Sequence, residues 1–358
     1  MNKSNTSRAV AIWLLIGVAM LLIQIVLGGI TRLTGSGLSI TEWNLVTGVL
    51  PPVNASGWAA EFDKYRQTPQ FKLLHADFNL SDFKFIFFWE WFHRFWARLV
   101  GVVFIIGFIY LLWKRELTKQ MIKPLLILFL LGGLQGAVGW IMVKSGLVGD
   151  AIYVQPTKLA MHFIFALGLI VYTFWFALDL LIPQNEMLRN PGLNKGIWAI
   201  LLVLLVQLVF GALMAGHKAA NSAPTWPTIN GEWIPASLTR ESPLLFNFID
   251  NKITIHFVHR GLAYLLLVLV IGWTIRAGKI KGKISPYFST VRWIPLGFIL
   301  LQVIAGILTV INGSAIVAGH WGFFETMASF HQFIALLFLL TMVFFKYVVR
   351  SNGKMPGN

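Results

Sequence analysis

The chain has 358 residues, of which 57% are hydrophobic and 12% are charged, and this composition excludes an ordinary soluble domain. The formal net charge of +15 does not indicate nucleic-acid binding, because lysine and arginine occur in short clusters between long apolar runs. Cysteine is absent, which excludes disulfide scaffolds, thiolate metal sites, iron–sulfur clusters and cysteine nucleophiles.

Long apolar runs follow one another along the chain. A transmembrane helix needs about 20 apolar residues to cross about 30 Å of hydrocarbon. Eight runs meet that length, near residues 11–31, 85–112, 121–143, 158–182, 196–216, 253–275, 292–312 and 327–349. The first is preceded by too few residues for a transit peptide and is not followed by a cleavage site, so we expect it to remain in the mature protein. The predicted fold class is an all-α integral membrane protein with eight transmembrane helices.

The distribution of positive charge predicts the orientation of the helices. Basic clusters lie in the connections after the second and sixth runs and near both termini: Lys3, Arg8, Lys114, Arg115, Lys119, Lys123, Arg276, Lys279, Lys281, Lys283, Lys346, Arg350 and Lys354. Such clusters favour the cytoplasmic side, which places both termini in the cytoplasm. The long loops 32–84 and 217–252 then lie outside, and their Trp, Pro and Gly content predicts folded caps.

An internal repeat organises the helices. The motif Gln-x-x-x-Gly occurs in every odd-numbered helix, as Gln24/Gly28, Gln135/Gly139, Gln207/Gly211 and Gln302/Gly306. Trp43 lies 19 residues after Gln24, and Trp226 lies 19 residues after Gln207. Likewise Gly146 and Gly313 each lie 11 residues after the glutamine of the preceding motif. We therefore predict two tandem, pseudo-twofold four-helix bundles, 1–183 and 184–358. The motif itself is typical of close helix packing with an interhelical hydrogen bond, although its glycines would also admit a flat ligand.

Four histidines lie at equivalent places toward the outer ends of the even-numbered helices: His93, His162, His259 and His331. A single such histidine is usually an interfacial polar residue, but two matched pairs indicate metal ligands. Imidazoles from two facing helices can bind haem iron inside a bundle. Zinc is the alternative, but it normally needs a third or fourth ligand, and only the second half offers one, His256.

The halves differ at one ionisable position. Glu90 precedes His93 by three residues, as His256 precedes His259, so each pair shares a helix face. Glu90 either handles protons beside a first-half haem or forms an ion pair with Arg94 or Arg98.

Three arginines are candidates to bind haem propionates. Arg94 and Arg260 each follow a candidate iron ligand, and Arg32 lies at the outer end of the first helix. Guanidinium groups bind carboxylates well, and extension to the membrane interface is the alternative. His75, His217 and His320 lie in or beside outer loops, and the sequence assigns no role to them.

The chain resembles the heme A synthase family, of the cysteine-free type found in proteobacteria and mitochondria. The resemblance covers nearly the whole chain and depends on GGITRLTGSGLSITEW, on EWFHR with Glu90 and His93, on HFVHRG with His259, and on His162 and His331. It implies oxidation of the C8 methyl group of haem O to the formyl group of haem A by successive hydroxylations, for aa3-type terminal oxidases.

The resemblance also implies how the site is divided. The second half would bind a haem b cofactor through His259 and His331, and the first half would bind the substrate haem at His93 and His162. Glu90 matches the essential carboxylate of the family. Some members carry cysteines in outer loops that this chain lacks.

The expected setting is the bacterial inner membrane, with haem O synthase and an electron-transfer protein as partners. A dihaem b-type electron carrier is the alternative function. A transporter is disfavoured, because the sequence shows neither broken helices nor charges at the membrane midplane.

Overall fold

A computed structural model describes residues 3–42, 47–281, 285–315 and 321–351. The predictions that concern Trp43, Lys283, His320 and Lys354 fall outside these residues. The described chain contains eleven α-helices: α1 (Lys3–Leu33), α2 (Ala55–Arg66), α3 (Pro69–Leu74), α4 (Leu80–Trp113), α5 (Lys119–Lys144), α6 (Pro156–Leu181), α7 (Pro191–Gly216), α8 (Lys252–Gly278), α9 (Pro286–Ser289), α10 (Ile294–Ile311) and α11 (Phe323–Val348).

Eight spans within these helices are long and apolar enough to cross a membrane. Seven belong to α1, α4, α5, α6, α7, α8 and α11, and the eighth covers α9 and α10 together. The prediction of an all-α membrane protein with eight transmembrane helices is confirmed. Several helices begin earlier than their apolar runs because polar caps extend them. For example, Asn79 and Asp82 form a reciprocal capping box at the start of α4.

The helix contacts in one half correspond to those in the other. In the first half α1 packs against α4 and α6, and α5 packs against α6. In the second half α7 packs against α8 and α11, and α10 packs against α11. The halves meet where α6 contacts α7 and where α1 contacts α11, two pairs that a twofold relation would exchange. The contact pattern differs where α8 packs against α10, because the equivalent contact between α4 and α5 is sparse.

The loop before α4 forms a folded cap, as its composition predicted. Helices α2 and α3 pack on the start of α4 through an aromatic cluster that includes Tyr65, Phe71, Phe83 and Phe87. The hydroxyl of Tyr65, a fully buried residue, lies 2.6 Å from Nδ1 of His75, whose ring stacks on Phe78. His75 therefore has a packing role within the cap.

The opposite end of the molecule joins the two halves. A short parallel pairing links β1 (Leu188–Arg189), in the connection between the halves, to β2 (Val349–Arg350) after α11. Tyr347 of α11 also donates a hydrogen bond of 3.0 Å to Asp179 of α6. These contacts connect the C-terminal segment to the junction of the halves.

Candidate functional site

All four predicted histidines lie against a glycine of the Gln-x-x-x-Gly motif. A Cβ atom placed on Gly139 would lie 2.8 Å from Cε1 of His162, and one on Gly306 would lie 2.9 Å from Cε1 of His331. A Cβ atom placed on Gly28 would lie 3.3 Å from Nε2 of His93, and one on Gly211 would lie 3.3 Å from Cε1 of His259. Real Cβ contacts are rarely this short, so glycine is needed for the imidazoles to lie where they do.

The four glutamines of the motif contact the same histidines. The side-chain amides of Gln135, Gln207 and Gln302 lie 3.1, 3.4 and 3.2 Å from a ring nitrogen of their histidine. Gln24 instead donates to the backbone carbonyl of His93 at 3.3 Å. The side-chain oxygens of all four glutamines are buried without a hydrogen-bond partner. Buried polar atoms are normally paired, so these oxygens are candidates to accept a hydrogen bond from the ring nitrogen that does not bind a metal.

His259 and His331 face each other in the second half. Their ring centroids lie 6.3 Å apart with an interplanar angle of 68°. Imidazole binds a metal at about 2 Å, so two ligands on one metal place their nitrogens about 4 Å apart. Each ring centroid lies farther from a bound metal than the ring nitrogen does, so a centroid separation of 6.3 Å is compatible with one metal atom between the rings, and His259 and His331 would suit haem iron.

His256 belongs to a different contact. Its side chain is fully buried, and Nδ1 accepts a hydrogen bond of 3.1 Å from Nε of Arg260. Among the residues that the structure describes, no group of three or more His, Cys, Asp or Glu could bind one metal ion. The described part of the chain therefore offers no zinc site with three protein ligands of these types.

In the first half His93 and His162 project from α4 and α6, which both pack on α1. His93 lies against Gly28 of α1, whereas His162 lies against Gly139 of α5. Because contact between α4 and α5 is sparse, this half is less closed around its histidines than the second half.

Glu90 forms the ion pair that the sequence left open as an alternative to proton handling. Its carboxylate accepts a hydrogen bond of 2.6 Å from Nη2 of Arg94. It also accepts bonds from the hydroxyl of Ser39 at 2.7 Å and from the backbone N–H of Ile40 at 2.9 Å. The Glu90 residue is 2% exposed, so these donors compensate for a buried charge. Glu90 thereby fixes the segment that follows α1 to the face of α4 that carries His93.

The second half contains the equivalent contact with a different residue in place of the carboxylate. Arg94 donates to the carbonyl of Ile40 at 3.2 Å, and Arg260 donates to the carbonyl of Ala223 at 3.0 Å. Ala223 lies 183 positions after Ile40, and Gln207 lies the same 183 positions after Gln24, so Ile40 and Ala223 are equivalent in the two repeats. Each arginine thus binds the loop that follows the first helix of its own half, with Glu90 beside one and His256 beside the other.

Arg32 connects the halves. Its Nε donates a hydrogen bond of 2.8 Å to the carbonyl of Ala215, near the end of α7. The predicted role of Arg32, Arg94 and Arg260 in binding propionates stays a prediction, and each guanidinium already binds backbone carbonyls.

Sequence reasoning missed two parts of this arrangement. The glutamines were recognised as a repeat but interpreted as helix packing, because their proximity to the histidines depends on how the helices face each other. Ser39 was not singled out, although it lies within the segment GSGLSITEW that carried the family resemblance. Its contact with Glu90 joins residues 51 positions apart.

Comparison with known proteins gives consistent results. Residues 11–343 match a family model described as cytochrome oxidase assembly protein, COX15-CtaA. A protein from Beijerinckia indica named heme A synthase is 43% identical over 318 residues, which is 87% of each chain. One of the same name from Flavobacterium johnsoniae is 37% identical over 350 residues, 96% of this chain and 98% of the relative. A third, from Paracoccus denitrificans, is 40% identical over 311 residues, 86% of this chain and 81% of the relative.

Proposed function

The chain belongs to the COX15-CtaA family of cytochrome oxidase assembly proteins, and from that membership we propose that it is a heme A synthase. As an oxidoreductase it would convert the C8 methyl group of haem O into the formyl group of haem A. Each of two successive hydroxylations would add the oxygen of one water molecule and release two electrons and two protons, which would give a geminal diol, and loss of water would leave the formyl group. An electron-transfer protein would accept the electrons. The observation that carries this proposal is the pair of equivalent histidine sites that differ at Glu90 and His256.

We assign the cofactor to the second half, residues 184–358. His259 and His331 would bind the iron of haem b, which supplies one-electron redox chemistry when it is bound. Gln207 and Gln302 would orient the two imidazoles, and Gly211 and Gly306 would leave room for the rings. A permanently bound cofactor is consistent with the packing of α8 against α10.

We assign the substrate to the first half, residues 1–183. His93 and His162 would bind the iron of haem O, and the sparse contact between α4 and α5 would let an apolar macrocycle enter and leave. Glu90 is one turn of α4 from His93 and is the carboxylate available to accept a proton during methyl oxidation. To do so it would release one of the three donors that it binds in this structure.

The partners follow from the reaction. Haem O synthase would supply the substrate, and an electron-transfer protein would exchange electrons with the second-half haem. We place the chain in the bacterial inner membrane with both termini in the cytoplasm and both haem sites toward the periplasm.

The test is haem analysis of cells that express this chain together with haem O synthase. We expect extracted haem to contain haem A, identified by its mass and by the absorption of its formyl group. His93→Ala and His162→Ala should abolish haem A while the protein keeps its haem b. The alternative, a dihaem b-type electron carrier, predicts that only unmodified haem is recovered.

A further inference from the structure

A cavity of about 590 Å³ lies where the outer ends of the two halves meet. Its wall combines the loop before α6, including Asp150 and Tyr153, with the end of α7 and the start of α8. None of these residues belongs to the histidine sites described above. The cavity therefore needs its own explanation.

Positive charge dominates this cavity. Lys218 and Lys252 both line it, and the helices α6 and α8 begin at its wall with Pro156 and Lys252. The dipole at a helix N-terminus favours anions, although the side chain of Asn251 already accepts hydrogen bonds from the first N–H groups of α8. The ammonium group of Lys218 lies 3.6 Å from the ring centroid of Tyr153, and neither lysine forms an ion pair among the described residues. Burial, together with repulsion from Arg32 and Lys252, lowers the pKa of Lys218 to about 8.

The backbone at Lys218 indicates that its side chain is needed. Lys218 adopts φ of +50°, in the left-handed region that disfavours residues other than glycine. The equivalent position in the first repeat, by the offset that relates Gln24 to Gln207, is Gly35, with φ of +70°. The two halves thus share a turn that glycine fits best, and the second half has a lysine there. Strained backbone of this kind is typical of functional sites.

The cavity borders both halves, since Lys252 at its wall precedes His259 by seven residues on α8, about 11 Å along the helix axis. The first half is the one open to a ligand that exchanges, because contact between α4 and α5 is sparse whereas α8 packs against α10. Pro156, at its wall, precedes His162 by six residues on α6, a distance of about 9 Å along the helix axis. A ligand whose anionic groups occupy the cavity could extend an apolar body toward His162. Haem has this form, with two carboxylates on one edge of a flat apolar ring.

We infer that this cavity binds the propionate carboxylates of the substrate haem, with Lys218 and Lys252 as the cationic partners. The inference depends on the proposed function and deepens it, because it identifies the substrate edge that the protein recognises. It also assigns the propionates to groups other than Arg94 and Arg260, which bind loop carbonyls.

The test compares two probes on the purified protein with its haem b in place: haem O and haem O dimethyl ester, which lacks both carboxylates. Binding is followed by the Soret difference spectrum. The unaltered protein should bind haem O at least about tenfold more tightly than the ester, since charged partners strengthen hydrogen bonds. Lys218→Gly should remove most of that preference and leave the affinity for the ester nearly unchanged. This substitution also relieves the left-handed backbone, so loss of folding would not explain the result.

Arg115→Gly is the matched control. Arg115 is another cationic residue with positive φ, at +57°, but it lies in the turn between α4 and α5. The Arg115→Gly protein should keep the full preference for haem O over its dimethyl ester. Lys252→Ala should reduce the preference in the same direction as Lys218→Gly.

Three results would overturn the inference. If Lys218→Gly keeps the full preference for haem O over the ester, the lysine does not bind propionates. If it instead releases co-purified phosphatidylglycerol, as seen by native mass spectrometry, the cavity binds a lipid phosphate. A changed second-half haem spectrum would assign the cavity to the cofactor. Failure of the proposed function is distinct, because His93→Ala and His162→Ala would then leave haem O binding unchanged.

Discussion

At the residue scale, each candidate ligand depends on a small set of neighbours. The imidazoles lie against glycine, and a glutamine one turn before that glycine contacts the same histidine. Such neighbours determine the orientation of a metal ligand, and their loss usually weakens metal binding or activity. These positions are therefore as suitable for mutagenesis as the histidines.

Replacing Gly306 by alanine should weaken haem b binding. The added Cβ would lie 2.9 Å from Cε1 of His331, so the ring must move away from its present position. We expect a purified protein with a reduced haem-to-protein ratio and an altered Soret band. Gly297→Ala, on the same helix, is the control, because no atom lies within 4 Å of the added group. Equal haem content in the two variants would contradict the proposed orientation of His331.

The histidines of the second half should differ in their effects. His259→Ala and His331→Ala should remove haem b from the purified protein, because their rings face each other. His256→Ala should retain haem b, since its ring binds Arg260. Absorption spectra of the three variants test this. Loss of haem from His256→Ala with retention in His259→Ala would reverse the assignment.

Glu90→Gln separates proton handling from structural pairing. Arg94→Gln breaks the same buried ion pair but keeps the carboxylate, and breaking such a pair from one side costs about 3–5 kcal/mol. If Glu90 accepts protons, Glu90→Gln should abolish haem A formation, cause haem O to accumulate and leave haem b in place. Arg94→Gln should then reduce thermal stability and retain some activity. Equal losses of activity and stability in the two variants would indicate a structural role only.

At the element scale, the cap formed by α2 and α3 has properties of its own. It packs on the start of α4 through aromatic rings, and the adjacent segment after α1 is bound by Glu90 and Arg94. Burial raises the pKa of the Tyr65 hydroxyl, and burial together with the nearby Lys218 lowers the pKa of His75. Both groups therefore favour their neutral forms in the folded cap.

The cap should loosen in mild acid. Because the pKa of His75 is lowered in the folded state, the unfolded cap binds more protons as the pH falls below the ordinary histidine value of about 6.5. The stabilisation from neutral His75 is complete above that pH and is lost progressively below it. The hydrogen-exchange protection factors of residues 55–78, which are rates corrected for the intrinsic pH dependence of amide exchange, should fall when the pH is lowered from 7 to 5. His75→Gln should remove most of this pH dependence, and an unchanged dependence would exclude His75 as its source.

At the scale of the whole molecule, the two halves share a contact pattern but differ in how closed they are. Contacts between α6 and α7 and between α1 and α11 join them, and hydrogen bonds from Arg32 to Ala215 and from Tyr347 to Asp179 connect them at opposite ends. This arrangement brings the loop before α6 and the loop after α7 together at the cavity that Lys218 lines.

The proposed orientation can be tested by reporter fusions. A fusion at Lys119, at the start of α5, should give the cytoplasmic signal, and one at Ser56, in α2, should give the periplasmic signal. The physical reason is the basic cluster around Lys119, which favours the cytoplasmic side. Alkaline phosphatase and green fluorescent protein report opposite compartments and provide the internal control. The same compartment for both positions would exclude haem sites near the periplasmic surface.

The sequence by itself determined the membrane class, the eight helices and the positions of four histidines. Apolar length and period are local properties, and a lipid environment leaves few alternatives to a helix. The equivalence of Gln24 with Gln207 also came from spacing alone. Helix ends were less accurate because caps such as Asn79 extend a helix beyond its apolar run.

Only the tertiary structure decided which polar groups meet. It paired Glu90 with Arg94 and Ser39, turned His256 toward Arg260, and placed Lys218 at the junction of the halves. Some of these contacts join residues that are distant in the chain, such as Ser39 and Glu90. Others, such as the pairing of Glu90 with Arg94, select one of several partners that the helix spacing allows. Hydrophobic periodicity gives the buried face of each helix, but the rotation and depth at which two helices pack depend on side chains from both. The specific chemistry of the site therefore emerges only when the helices are packed together.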